Sequence, residues 1–231
     1  MNSEQQFREN LERLQERIKD ACDRCQRSVG EVELMAVTKT HPLEAARWAV
    51  AAGLQRIGEN RVREAAEKRP RLSEPAGIWE LIGPLQSNKA RLALETVDRI
   101  QTVDRLKLVR VLDRLCGELG KESYPLLIQV NAGEDPAKHG CSVEEADPLV
   151  DAIRHSRHLR LEGLMTIGEL TDDESVIRGT FARLRNLRDR LEQDWEIPLP
   201  VLSMGMTDDL ELAIEEGSTL IRVGTALFGT R

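Results

Sequence analysis

Lys39 is the residue of this sequence that points most directly to chemistry. It follows the apolar run 34–37, which is typical of a buried strand, so its amine is predicted to lie at the end of that strand. Lysine is costly to bury, and desolvation favours its neutral form. A neutral amine can attack an aldehyde to form a Schiff base. The alternative is a lysine whose ammonium group extends from the strand end into water.

Two later segments carry glycines and hydroxyl groups where apolar runs end. Ser203 and Gly205 come at the end of run 201–203, and Gly224 and Thr225 follow run 220–223. Glycines let backbone N–H groups approach a phosphate, and the two hydroxyls can add hydrogen bonds. Barrel enzymes often bind phosphate with the loops after their last two strands. The alternative is ordinary turn chemistry, since glycines end many strands.

A lysine opposite such a phosphate cradle matches pyridoxal 5'-phosphate, which carries an aldehyde and a phosphate on a pyridine ring. Arg222 lies two residues before Gly224, so it shares that strand face and is predicted to reach the ring nitrogen. An arginine stays charged and disfavours protonation of that nitrogen, which weakens the ring as an electron sink. The alternative for Arg222 is a surface salt bridge.

Other residues are weaker candidates. Lys89 competes as the Schiff-base lysine, but it is predicted to lie on a helix after the third strand. Glu59 is either a site residue or a strand-end charge. Thr207 is predicted to cap a helix that opens with Asp208 and Asp209, whose charges would favour the helix dipole.

No metal site is expected. His155 and His158 are predicted to cap a helix end, because no third ligand is near them in the sequence. Cys22 and Cys25 form a C-x-x-C motif, but they continue an apolar helical stripe and are interpreted as packing residues.

Eight short apolar runs alternate with helical patterns, which indicates βαβ units and parallel pairing. The chain has 231 residues, a length that suits eight such units closed into one (β/α)8 barrel. We therefore predict an α/β fold, a single TIM-type barrel domain over residues 1–231 with an additional N-terminal helix at 4–28. An open doubly wound sheet is the alternative. The predicted strands are 34–37, 55–57, 78–82, 99–102, 125–130, 161–165, 201–203 and 220–223.

The composition limits the partners. The formal net charge is −7, and such a chain repels nucleic acid and anionic membranes at long range. No apolar stretch reaches the length of a membrane span, and no basic segment followed by an apolar run opens the sequence. The expectation is a cytoplasmic protein that binds a small molecule.

Together the motifs resemble the pyridoxal-phosphate homeostasis protein family, whose barrels are related to the N-terminal domain of alanine racemase. The resemblance covers nearly the whole chain. One departure is that the family often has serine at the position of Thr38. The motifs are 36–40 (AVTKT), 58–60 (GEN), 82–89 (IGPLQSNK), 163–165 (GLM), 202–209 (LSMGMTDD) and 221–229 (IRVGTALFG).

The resemblance implies a role for each predicted cofactor-binding residue. Lys39 would form the Schiff base with pyridoxal 5'-phosphate, Arg222 would face the ring nitrogen, and Asn60 would line the site. The phosphate would be held by Ser203, Gly224 and Thr225.

The resemblance also implies a function in vitamin B6 and amino-acid homeostasis, by buffering the cofactor or delivering it to pyridoxal-phosphate-dependent apoenzymes. Efficient turnover is not expected, and no catalytic residue is assigned, because the only tyrosine, Tyr124, precedes the fifth strand. We expect a monomer. The alternatives are a weak racemase, an aldolase that uses Lys39 without cofactor, and a scaffold without catalysis.

Overall fold

Strands and helices alternate along the chain after a first helix. The computed structural model describes residues 3–72 and 77–229. The strands are β1 (Glu33–Val37), β2 (Arg56–Glu59), β3 (Ile78–Leu81), β4 (Arg99–Val103), β5 (Tyr124–Gln129), β6 (Leu159–Met165), β7 (Val201–Ser203) and β8 (Leu220–Val223). The helices are α1 (Glu4–Arg24), α2 (Leu43–Ala51), α3 (Val62–Lys68), α4 (Ala90–Thr96), α5 (Leu106–Glu118), α6 (Ala146–Arg154), α7 (Glu174–Trp195), α8 (Leu210–Glu215) and α9 (Thr225–Phe228).

The eight strands pair in chain order and close into a parallel barrel, because β1 pairs with both β2 and β8. The register sets Met35 beside Arg222 and Val37 beside Gly58. The open doubly wound sheet is therefore wrong, and the predicted (β/α)8 barrel with an N-terminal helix is confirmed. Since all strands run the same way, their carboxyl ends meet at one mouth of the barrel.

Apolar packing occupies two regions. The larger cluster joins the outward faces of the strands to the helices around them. A smaller one, formed by Met35, Val37, Ile82 and Leu220, lies on the inner face of the barrel. Polar and charged side chains, among them Gln101, Ser203 and Arg222, are also buried within the barrel. No helix among the described residues is long and apolar enough to cross a bilayer.

Helix α1 confirms the predicted apolar stripe, since its buried residues include Phe7 and Cys22. Phe7 stacks on Phe228 of α9 at 5.4 Å between ring centroids, and Arg17 forms an ion pair with Glu211 of α8. The helix ends at Arg24 rather than at residue 28, because Gln26 adopts a left-handed conformation with φ 58°.

The predicted cap of α8 is wrong. The helix begins at Leu210 with Asp209 as its N-cap. The hydroxyl of Thr207 instead accepts the backbone N–H of Ala226 at 3.2 Å. Thr207 therefore joins the loop after β7 to the start of α9.

Candidate functional site

Lys39 lies at the mouth of the barrel, two residues beyond the end of β1. Its side chain is half-buried. The last β1–β2 pair is Val37 with Gly58, and Lys39 and Asn60 each lie two residues beyond it. On the other side, the last β1–β8 pair is Ala36 with Val223, and Val37 and Gly224 follow it. Barrel closure thus gathers three of the predicted residues, from three adjacent strands, at one place.

The backbone on both sides of Lys39 is held by α3. Lys68 donates to the Thr38 carbonyl oxygen at 2.8 Å, to Glu59 Oε1 at 2.8 Å and to Glu64 Oε1 at 2.7 Å. The backbone N–H of Thr40 donates to the same Glu64 oxygen at 2.5 Å. These contacts fix the turn that presents Lys39, in which Thr40 has φ 61°.

Glu59 is a completely buried carboxylate rather than an exposed strand-end charge. Its Oε1 accepts from the Thr38 hydroxyl at 2.6 Å as well as from Lys68. Burial raises the pKa of Glu59, while the hydrogen bond from Lys68 opposes that shift. Glu59 therefore supports the turn before Lys39 from outside the barrel.

Asn60 continues β2 into a tight contact with the loop after β3. A Cβ at position 83 would lie 2.2 Å from the backbone oxygen of Asn60, so only glycine permits this approach. The Thr102 hydroxyl donates to the Gly83 carbonyl at 2.8 Å. The position of Asn60 is therefore coupled to β3 and β4 through backbone packing.

Arg222 is buried inside the barrel, so the surface salt bridge is wrong. Its guanidinium donates to Ser203 Oγ at 2.6 Å and to the Thr166 carbonyl at 2.8 Å. Burial lowers the pKa of Arg222 to about 10, although the charge of Asp209 opposes that effect. The group therefore remains a cation at neutral pH.

The loops after β7 and β8 meet where the phosphate cradle is predicted. A Cβ at position 224 would lie 3.2 Å from the Val37 carbonyl oxygen, so glycine keeps this turn close to the end of β1. Thr225 is exposed and opens α9. Thr207 bonds to the backbone of Ala226, the residue after Thr225. A cradle at this place would therefore include two threonine hydroxyls, one from each loop.

Among the described residues, no hydrogen bond links Ser203 to the predicted cradle. Its hydroxyl is buried beneath Arg222 and donates to Gln101 Oε1 at 2.6 Å. The bond between Thr207 and Ala226 was not predicted, because the place of Thr207 in the segment 205–209 (GMTDD) suggested a helix cap. Lys89, the competing lysine, ends a short 3-10 turn just before α4. His155 follows α6 as its C-cap, as predicted.

Comparison with known proteins identifies the family. Residues 5–231 match the alanine racemase, N-terminal domain family. A pyridoxal phosphate homeostasis protein of Pseudomonas aeruginosa is 41% identical over 223 residues, which cover 96% of this chain and 95% of that protein. The chain belongs to the pyridoxal phosphate homeostasis protein family. The Escherichia coli member of this family is 39% identical over 231 residues, which cover 96% of this chain and 95% of that protein. The predicted family is confirmed.

Solved structures support the same assignment. PipY of Synechococcus elongatus, in a structure with PLP bound, is 40% identical, has a TM-score of 0.82, and is matched over 93% of this chain and 99% of that one. An alanine racemase of Clostridium difficile has a TM-score of 0.80 at 14% identity, over 98% of this chain and 57% of that one. At that identity the likeness shows the barrel fold alone.

Proposed function

We propose that this chain binds pyridoxal 5'-phosphate as a Schiff base to Lys39 and holds it for vitamin B6 and amino-acid homeostasis without efficient turnover. The carrying observation is the convergence of Lys39, Asn60, Arg222 and Gly224 at one end of the barrel. The bound PLP of PipY supports the same ligand. As a monomer, the protein would buffer the cofactor or deliver it to pyridoxal-phosphate-dependent apoenzymes.

The residues present fit the three functional groups of this cofactor. Lys39 offers an amine to the aldehyde, and the turn after β8 offers Gly224 with the hydroxyls of Thr225 and Thr207 to the phosphate. Arg222 offers a fixed guanidinium to the ring nitrogen. When bound, the cofactor supplies an electron-withdrawing ring conjugated to an imine. The positive charge of Arg222 would keep a proton off the ring nitrogen and so limit that withdrawal.

The position of Tyr124 supports binding rather than turnover. This residue begins β5, at the end of the barrel opposite Lys39. Its hydroxyl donates to the Val97 carbonyl at 2.6 Å, and burial raises its pKa above the ordinary range. Racemisation needs an acid–base group on each face of the reacting carbon. Tyr124, the single tyrosine of the sequence, does not supply the second one.

The test is a visible absorption spectrum of the purified protein after addition of pyridoxal 5'-phosphate, followed by borohydride reduction and peptide mass mapping. We expect an imine band and a reduced adduct on Lys39. Lys39→Ala should abolish the band and retain part of the phosphate-anchored affinity, while the control Lys89→Ala should leave the band unchanged. An adduct that maps to another lysine would contradict the assignment.

A second experiment separates a carrier from a weak racemase. The loaded protein is incubated with L-alanine, and the D-alanine formed is measured by chiral chromatography. A carrier should form less than about one D-alanine per protein over hours. Many turnovers to D-alanine, lost in Lys39→Ala, would establish the enzyme instead.

A further inference from the structure

A continuous chain of side-chain hydrogen bonds connects Arg222 to a carboxylate on the far side of the barrel. Glu80 Oε2 accepts from Gln101 Nε2 at 2.7 Å, and Gln101 Oε1 accepts from the Ser203 hydroxyl at 2.6 Å. Ser203 Oγ in turn accepts from Arg222 at 2.6 Å. Glu80, Gln101 and Ser203 are each 0% exposed, so no bulk water competes for these bonds.

Glu80 determines which group donates and which accepts at each step of this series of hydrogen bonds. Glu80 is held by two arginines: Arg99 donates to both of its oxygens, at 2.6 and 2.9 Å, and Arg56 donates at 2.6 Å. An ionised carboxylate only accepts, so Gln101 must turn its NH2 group towards Glu80 and its oxygen towards Ser203. Ser203 then gives its single proton to Gln101 and presents a lone pair to Arg222.

This ordering has a consequence at the site. Arg222 is a buried cation whose two direct acceptors, Ser203 Oγ and the Thr166 carbonyl, are neutral. In the described ranges no carboxylate forms an ion pair with Arg222, so its orientation depends on these two bonds. If Gln101 were apolar, the Ser203 proton would have no fixed acceptor, and the hydroxyl could rotate its proton towards the guanidinium. One of the two bonds that hold Arg222 would then be lost for part of the time.

We propose that Gln101 is a positioning residue that fixes the Arg222 guanidinium towards the pyridine nitrogen of the cofactor by keeping Ser203 an acceptor. The cofactor part of this inference rests on the proposed function. Gln101 does not touch the cofactor in this assignment. It acts through Ser203, and the role predicted for Ser203 changes from phosphate ligand to support of Arg222.

The test compares Gln101→Met with Gln129→Met, a matched control. Gln129 is likewise a buried glutamine of a strand and donates one hydrogen bond, to the His139 carbonyl at 3.1 Å, but it lies outside this series of hydrogen bonds. The readout is the pH midpoint of the visible imine band in each reconstituted protein. We expect Gln101→Met to shift the midpoint in the same direction as Arg222→Met, by about threefold or more in proton affinity, or about 0.5 pH unit.

A double variant shows whether the two residues act together. Adding Gln101→Met to Arg222→Met should shift the midpoint no further, because the group being positioned is already gone. Additive shifts, or a shift in Gln129→Met equal to that in Gln101→Met, would overturn the proposal, since both would indicate a general effect of core damage.

A crystal structure of cofactor-free Gln101→Met provides an arm that does not depend on the cofactor. The guanidinium of Arg222 should be displaced or split over two positions relative to the cofactor-free wild type. An unmoved Arg222 would overturn the positioning role even if no imine formed in any variant. Absence of the imine in wild type would instead remove the proposed function, so the two failures are distinguishable.

Discussion

Buried charges have different partners at the two ends of the barrel interior. Near the amino ends of the strands, Glu80 and Arg99 form a bidentate pair that Arg56 and Glu162 extend on either side. At the carboxyl end, the buried cation Arg222 meets the neutral oxygens of Ser203 and Thr166. At the amino end the buried charges form ion pairs with one another. At the carboxyl end the charge of Arg222 has only neutral hydrogen-bond acceptors.

The difference supports the proposed placement of the ligand at the carboxyl end of the strands. A buried ion cluster whose members are all paired gains little from an added molecule, because each group already has its partners. A cation held by neutral acceptors can still interact with an electron-rich ring. Active sites of such barrels lie at the carboxyl end in essentially every characterised case, and the charges of this chain follow that polarity.

Glu80→Leu should produce the largest loss of stability. It leaves Arg99 and Arg56 buried or half-buried without their shared carboxylate, so we expect a loss of about 3–5 kcal/mol in the free energy of unfolding, measured by urea denaturation. The control is Glu118→Leu, which removes an exposed carboxylate paired with Arg91 and Arg114 and should cost less than about 1 kcal/mol. Equal losses in the two variants would mean that the buried cluster contributes nothing beyond surface pairing.

Gly83→Ala should come next and should act at the ligand end. The new Cβ would meet the backbone of Asn60, so a backbone shift is required, with an expected cost of about 1–3 kcal/mol and weaker binding of pyridoxal 5'-phosphate. Gly179→Ala is the matched control: nothing lies within 4 Å of its added Cβ, and its place in α7 predicts a gain of about 0.5–1 kcal/mol. Unchanged cofactor affinity in Gly83→Ala would separate Asn60 from the site.

The sequence predicted the barrel because strand and helix periods alternate clearly. It placed Lys39 because this residue follows an apolar run, and Arg222 because it lies two residues before Gly224 on the same strand face. It did not predict Gln101, which lies inside β4 rather than after it. Its inward direction and its contact with Ser203 of β7 exist only once the barrel closes. Local patterns carry no information on such partners across the barrel.

Lys68 was missed for a related reason. Its place at the end of a short helix suggests a solvated charge, yet its ammonium group has three acceptors that α3 brings together by packing on β1 and β2. Thr207 was misassigned because a threonine before two aspartates fits a helix cap. Its actual partner, Ala226, belongs to the next βα unit.

Thr207→Val and Thr225→Val should each weaken binding of pyridoxal 5'-phosphate by about 1 kcal/mol, the usual contribution of one hydrogen bond. Fluorescence titration of the cofactor measures the effect. The control at the opposite end is Thr219→Val, because the Thr219 hydroxyl accepts from the Leu202 N–H at 2.9 Å, far from the proposed cradle. That variant should lose stability and keep its affinity. If only Thr219→Val lost affinity, the phosphate would bind at the amino end of the strands, which would contradict the proposed cradle.

Asp209→Asn should have the smallest effect, and it tests whether a carboxylate at the ligand end is as well satisfied as Glu80. Asp209 is buried and accepts the Met206 N–H at 2.5 Å, and burial raises its pKa above the ordinary value of 3.8. A raised pKa means that the folded state binds the proton more tightly than the unfolded state does. The contribution of Asp209 to stability is therefore present at low pH and is lost as the pH rises through its folded pKa.

Asparagine keeps an acceptor for Met206 but does not titrate. The difference in unfolding free energy, variant minus wild type, should therefore increase from about pH 3 to about pH 7, as wild type alone loses this contribution. Urea denaturation across that range measures it. A difference that decreases with pH would mean that the folded pKa of Asp209 is depressed, so that the nearby charge of Arg222 outweighs desolvation. Arg222 would then be compensated by a carboxylate, and the two ends of the barrel would handle buried charge in the same way.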